Sequence, residues 1–129
     1  GLNDSAWHHV ALVRSGSGSS NLKLYIDGTL VSTQSGSVAQ TQTSNIQIGQ
    51  YINSSGDDLA GYIDNYRISN VARWDADFTP STTAYTRDDN TLLLIHSDTT
   101  NASTTFTDSS PVVAVAGKQT QLHGWAVNY

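Results

Sequence analysis

Every acidic side chain here is an aspartate: 11 Asp and no Glu stand among 129 residues. Glycoside hydrolysis needs two carboxylates flanking the scissile bond, usually glutamates, as nucleophile and acid. No two Asp residues alternate along one strand-like segment, so that machinery is missing. Asp27 precedes Gly28 and reads as a turn residue. Asp64 has two readings: a structural carboxylate bonding a neighbouring turn or Arg67, or a group lining a ligand or metal edge. His8 and His9 are adjacent, and in an extended segment they point to opposite faces and cannot chelate together. His9, beside Trp7, reads as a core imidazole. With 17 Ser, 4 His and 11 Asp, a Ser–His–Asp triad carries no weight without a nucleophile-elbow motif, and none is present.

Aromatic rings offer a better handle, because the C–H faces of sugars stack on exposed Tyr or Trp. The pool is Tyr51, Tyr62, Tyr66, Trp74, Trp125 and Tyr129. Trp7 and Trp74 read as core from their apolar neighbours. Tyr51, beside the polar 53–58 loop, reads as the exposed platform. Tyr51, Asn53, Tyr62 and Tyr66 are the candidate ligand-binding residues.

These groups must be positioned by short strands. In residues 7–14, Trp7, His9, Ala11 and Val13 share one face and His8, Val10, Leu12 and Arg14 the other. Both faces are largely apolar, which predicts a central strand covered on both sides. The run Ser15-Gly16-Ser17-Gly18-Ser19-Ser20 is a turn. Leu22, Leu24 and Ile26 then alternate with Lys23 and Tyr25 in a half-buried strand. Asp27-Gly28 supplies the positive φ angles of a two-residue hairpin, and residues 29–34 return antiparallel. Residues 35–44 read as loop, leading to a strand in which Ile46 and Ile48 face inward. Residues 61–68 read as a strand, with Tyr62, Asp64, Tyr66 and Ile68 on one side. Ser69 can cap a helical turn over 70–74, ended before Pro80. Residues 92–96 form a strongly apolar strand; the segments 104–106, 112–115 and 119–123 are weaker candidates. Many short strands separated by turn signals specify an antiparallel β-sandwich or jelly roll.

Composition narrows the function classes. The chain is long enough for one cored domain. It has no Cys, so neither disulfides nor thiol chemistry are available. Its net charge of −5 and six Lys and Arg argue against nucleic-acid binding. No apolar run approaches a membrane span. A surface rich in Ser, Thr, Asn and Gln and poor in Lys is common on extracellular or virion-exposed β proteins.

The succession Trp7-His8-His9-Val10-Ala11, Leu24-Tyr25-Ile26-Asp27-Gly28, Ile48-Gly49, Gly61-Tyr62-Ile63-Asp64, Arg67-Ile68-Ser69 and Ala72-Arg73-Trp74 with Phe78-Thr79-Pro80 resembles the second half of a laminin-G-like, concanavalin A-like jelly-roll domain. Each piece is weak alone; six in order are specific. Asn90-Thr91-Leu92-Leu93-Leu94-Ile95-His96 with Thr104-Thr105-Phe106-Thr107-Asp108-Ser109 resembles the opening strand and first turn of the same kind of domain. The order is thus inverted, with residues 1–89 as the end of one repeat. Residues 90–129 are then the opening of the next, or closing strands packed on the same sandwich. In this fold class first and last strands are neighbours, so the 92–96 strand is expected to pair antiparallel with the 61–68 strand or its equivalent in a second copy. Three outcomes stay open: a minimal sandwich completed by residues 111–129, an oligomer sharing strands, or a piece of a longer multidomain protein.

The resemblance implies binding rather than catalysis. It implies calcium as the cofactor, since such domains often hold one ion at a loop rim and hard cations prefer oxygen ligands. Asp57, Asp58 and Asp64 are the donors it implies. The function expected is a non-catalytic adhesion or carbohydrate-binding module of a viral tail, fibre or bacterial surface protein. The alternatives are a purely structural β subunit of a virion appendage or filament, and an accessory domain of a secreted carbohydrate-active enzyme. Expected partners are a glycan or cell-surface receptor and further copies of the chain. Nucleic acid and membrane insertion are excluded, and the expected location is extracellular or on a virion surface.

Overall fold

The computed structural model describes residues 2–36, 46–50, 58–100 and 103–111. All regular structure among them is antiparallel strand, in two sheets, and the chain is an all-β protein of the sandwich class. The strands are β1 (Val10–Arg14), β2 (Leu22–Ile26), β3 (Thr29–Gln34), β4 (Tyr66–Ser69) and β5 (Thr91–Ile95). Two compact units divide them: one of residues 1–41 and 71–83, the other of residues 42–70 and 84–129.

In the first unit the strands run in the order β1-β2-β3. Ala11 stands opposite Tyr25 and Val13 opposite Lys23, so one face carries Ala11, Val13 and Tyr25, all buried. Trp74 and Phe78 close over that face, their rings stacked 4.1 Å apart. His9 meets both edge-on, at 5.5 and 5.4 Å. Such pairings hold the ring quadrupoles in favourable orientation. The covering segment is tied down along its length. Lys23 Nζ donates to the Asp75 carbonyl at 2.5 Å, the Leu30 N–H to Asp77 Oδ1 at 2.8 Å, and the Phe78 N–H to the Gly28 carbonyl at 2.9 Å.

The hairpin is as its residues dictate. Asp27 (φ 51°) and Gly28 (φ 81°) both take the left-handed conformation that a two-residue turn requires. Val31 bulges from β3, because Leu24 pairs with Ser32 and Tyr25 with Leu30. Asn21, buried beside the other turn, donates to the carbonyls of Gly16 and Gly36 and accepts the Gly36 N–H, which fixes residues 15–20 against the end of β3.

In the second unit β4 pairs antiparallel with β5, Arg67 opposite Leu94 and Ile68 opposite Leu93. The pairing expected of the 92–96 strand is therefore present within the chain, one residue earlier than its sequence boundary. Leu94 is 1% exposed. Asp108 accepts the Leu94 N–H, and the Ser109 N–H returns to the Leu94 carbonyl, so the 103–111 segment runs along β5. Thr91 and Asp88 close the turn that leads in, through Thr91 Oγ1 to Asp88 Oδ1 at 2.8 Å.

Several expectations need correction. Trp7 is not core: it is 70% exposed, because the place beside His9 is taken by the Trp74–Phe78 stack. The first strand is not central and covered on both sides. It is an edge of the described sheet, and Val10 and Leu12 on its outer face are exposed. In β2 the fully buried side chain is Tyr25 rather than the Leu22, Leu24 and Ile26 set, since the closing aromatics lie on the Tyr25 face. Ile46 and Ile48 lie outside any strand and are exposed. The 61–68 strand shrinks to Tyr66–Ser69 because Asn65 takes φ 51°, which breaks the extended run. No helical turn forms over 70–74: the Asn70 N–H donates to Asn90, and the bonds anchoring Asp75 and Phe78 hold the chain open. The 104–106 segment is not a strand, and the 112–115 and 119–123 segments lie outside the described residues.

Candidate functional site

A cleft of ≈ 420 Å³ opens in the second unit. Its walls are Ile48, Tyr62, Ile63, Tyr66, Ile95 and Phe106, with Ser97 supplying a hydroxyl. Two expected ligand-binding residues, Tyr62 and Tyr66, thus meet in one place. Local chemistry explains how they come to do so. Tyr66 opens β4 and is held half-buried opposite Ile95. Tyr62 precedes the break at Asn65, and freed from the strand it stands 87% exposed. Phe106, more than half exposed, adds a third ring from the segment running along β5. An apolar wall of rings with few polar groups suits the C–H face of a sugar better than a charged ligand. Tyr51 and Asn53 lie outside the described residues.

Asn65 organises the floor beside this cleft. Its N–H and Nδ2 donate to the two oxygens of Asp64, at 2.7 and 3.3 Å. Its Oδ1 accepts the Tyr85 N–H and His96 Nδ1, at 3.3 and 2.9 Å. Asp64 thus holds Asn65 through both carboxylate oxygens and stays exposed. Asp58 is exposed, and Asp57 lies outside the described residues. Among the described residues no three carboxylate, imidazole or thiol groups gather in one place.

The first unit holds an ionic cluster that the residue pattern did not reveal. His8 Nδ1 lies 2.7 Å from Asp27 Oδ2 and Nε2 2.9 Å from Asp4 Oδ1. Carboxylates only accept, so both bonds form at once only when the ring is the doubly protonated imidazolium. The hydrogen bond to Asp27, then that to Asp4, raises the His8 pKa above its ordinary value. The His8 bond lowers both carboxylates in turn, helped at Asp27 by the His9 N–H and at Asp4 by the Ala6 N–H. Asp27 is thus a turn residue and an ion-pair acceptor together. Only the β1–β2 register, which brings His9 opposite Asp27, could have signalled it. The cluster clamps Asp4 and the Asp27 turn to the start of β1.

A protein-family model of the concanavalin A-like lectin/glucanases superfamily, of laminin G type, matches residues 1–78. The match spans the whole three-stranded sheet, the Asp27–Gly28 hairpin and the aromatic segment as far as Phe78. Searches of curated proteins and of solved structures found no match. Laminin G-like domains are generally non-catalytic binding modules, and the fold is of a carbohydrate-binding type. With more than half its length matched and all its regular structure antiparallel strand, the chain belongs to the laminin G-like family of the concanavalin A-like lectin/glucanases superfamily.

Proposed function

We propose that the chain is a non-catalytic carbohydrate-binding module, displayed on a viral tail, fibre or bacterial surface protein. The observation that carries the binding reading is the cleft in which Tyr62, Tyr66 and Phe106 converge beside Ser97. Three rings on a strand and its flanking segments give rigid, amphipathic contact area at small entropic cost. The absence of Glu from the sequence supports binding over hydrolysis. Titration of the isotope-labelled protein with neutral mono- and oligosaccharides tests the reading. Resonances of Tyr62, Tyr66 and Phe106 should move together, and Tyr62→Ala should weaken binding by about threefold to tenfold. Shifts confined to other residues, or none with any sugar, reject the cleft. Calcium at Asp57, Asp58 and Asp64 is the cofactor of this reading, and a melting temperature indifferent to chelator rejects it.

One observation favours a structural subunit instead. The outer face of β1 exposes Val10 and Leu12, apolar groups suited to burial in an assembly. Sedimentation across a concentration series separates the readings. Monomers at every concentration favour the lectin.

A further inference from the structure

A second cleft in the same unit has the opposite chemistry. It measures ≈ 350 Å³ and is lined by Tyr85, Thr86, Arg87, Leu94, His96 and Ser109. The chain carries only six Lys and Arg against 11 Asp, yet this cleft has an arginine and no carboxylate in its lining. Among the described residues Arg87 makes no ion pair, although two Asp residues follow it in sequence. Asp88 is spent on Asn90 and Thr91. Asp108, which precedes Ser109, accepts from Leu94, from the Ser110 N–H and from Ser110 Oγ. A second positive charge stands behind the wall, where the Arg67 guanidinium lies 4.0 Å from the centre of the Tyr85 ring.

The remaining groups narrow the ligand further. Asn65 Oδ1 already accepts the Tyr85 N–H, and the amide's orientation is fixed by Nδ2 donating to Asp64. His96 Nδ1 must therefore be the donor in its 2.9 Å bond to Oδ1. In the neutral ring that leaves Nε2 as a bare acceptor, which calls for a hydroxyl donor rather than an anion. Ser109 commits its N–H to Leu94 and leaves its hydroxyl without a partner among the described residues. Tyr85 and Leu94 supply an apolar surface.

We propose that this cleft binds a hydroxylated carboxylate of the sugar-acid class. The carboxylate meets the Arg87 fork, a neighbouring hydroxyl donates to His96 Nε2, and the ring C–H face lies on Tyr85. Fork-to-carboxylate pairing is the geometry arginine recognises best. The volume falls within the ~300–1,000 Å³ usual for small-molecule sites. The site is independent of the Tyr62 cleft, and neither stands or falls with the other.

The test is a titration of the full chain, followed by nuclear magnetic resonance, with glucuronate, glucose and inorganic phosphate at matched concentration and ionic strength. Glucuronate should shift Tyr85, Arg87, His96 and Ser109, while glucose and phosphate leave them in place. Arg87→Gln should weaken glucuronate binding by about tenfold or more, Arg87→Lys should fall between, and Arg14→Gln, on exposed β1, should change nothing. An equal response to glucose overturns the anion requirement, and an equal response to phosphate overturns the sugar ring. A glucuronate response that survives Arg87→Gln in a folded variant overturns the site.

Discussion

Replacing Gly28 with alanine should be among the most damaging single-methyl changes available to the chain. Gly28 is buried at φ 81°, a conformation that costs an L side chain about 1–2 kcal/mol. A Cβ there would fall on the Phe78 carbonyl oxygen, 2.9 Å from the carbonyl carbon and 3.0 Å from Pro80 Cδ. Backbone, unlike a flexible side chain, cannot turn aside. The 71–83 segment must lift, breaking the Phe78 N–H bond to the Gly28 carbonyl, worth about 1 kcal/mol. Phe78 then loosens from Tyr25, His9 and Trp74, forfeiting part of the ~3–5 kcal/mol carried by a packed Phe. The total is about 3–4 kcal/mol, a fall of about 10–15 °C in melting temperature for a chain of this size. Thermal unfolding followed by near-UV circular dichroism reads both the midpoint and the aromatic packing. Gly18→Ala is the control, since nothing lies within 4 Å of a Cβ there. If Gly28→Ala melts within about 3 °C of the parent, the aromatic segment is not seated on the hairpin as described.

Three further outcomes follow from particular contacts. Tyr25 is fully buried and its hydroxyl has no partner among the described residues, so Tyr25→Phe should leave stability unchanged or raise it by about 1 kcal/mol in chemical denaturation, and a clear loss would reveal a partner. The His8 clamp makes stability depend on pH with a fixed sign. The raised imidazole pKa gives stability that is full below 6.5 and lost as pH rises through the folded value, while the lowered carboxylates give stability that is full above 3.8 and lost as pH falls through theirs, so melting temperature should peak between these limits and His8→Asn should flatten the alkaline limb. Leu94→Ala, at a position 1% exposed in the centre of β5, should cost about 2–5 kcal/mol by calorimetry, and a loss under about 1 kcal/mol would mean that β5 is not a core strand.

What could be read from the sequence was local. Asp27-Gly28 fixes its own turn through backbone chemistry, and the strands on either side inherit their register from it. The Leu92 run announces a buried strand by apolarity alone, and its partner followed from the laminin-G-like resemblance. The face on which Tyr25 lies could not be read the same way. Leu22, Leu24 and Ile26 make the more apolar side, but burial is decided by which side the distant Trp74 and Phe78 cover. Trp7 was misplaced for the same reason, since its site beside His9 goes to rings nearly seventy residues later. The binding cleft was half legible. Tyr62 and Tyr66 are aromatic in any reading, but their convergence with Phe106 depends on the break at Asn65, and an asparagine inside an otherwise strand-like run gives little warning of a positive φ.

That asparagine sets a limit on how this region can evolve. Position 65 demands a residue that tolerates the left-handed region and whose side chain donates once to Asp64 and accepts twice, from the Tyr85 amide and the His96 ring. Glycine meets the backbone demand and loses every side-chain bond. Aspartate meets the backbone demand but brings a second negative charge against Asp64 and has no side-chain donor when ionised. Neutral histidine has one donor and one acceptor, but the accepting nitrogen's single lone pair cannot accept both bonds. Serine's one hydroxyl proton and short reach cannot span the same partners. In a library of all single substitutions, position 65 should therefore stand out in intolerance from the exposed residues 58–64 that precede it. The surfaces on either side of it are free to drift toward new ligands only while that residue stays in place.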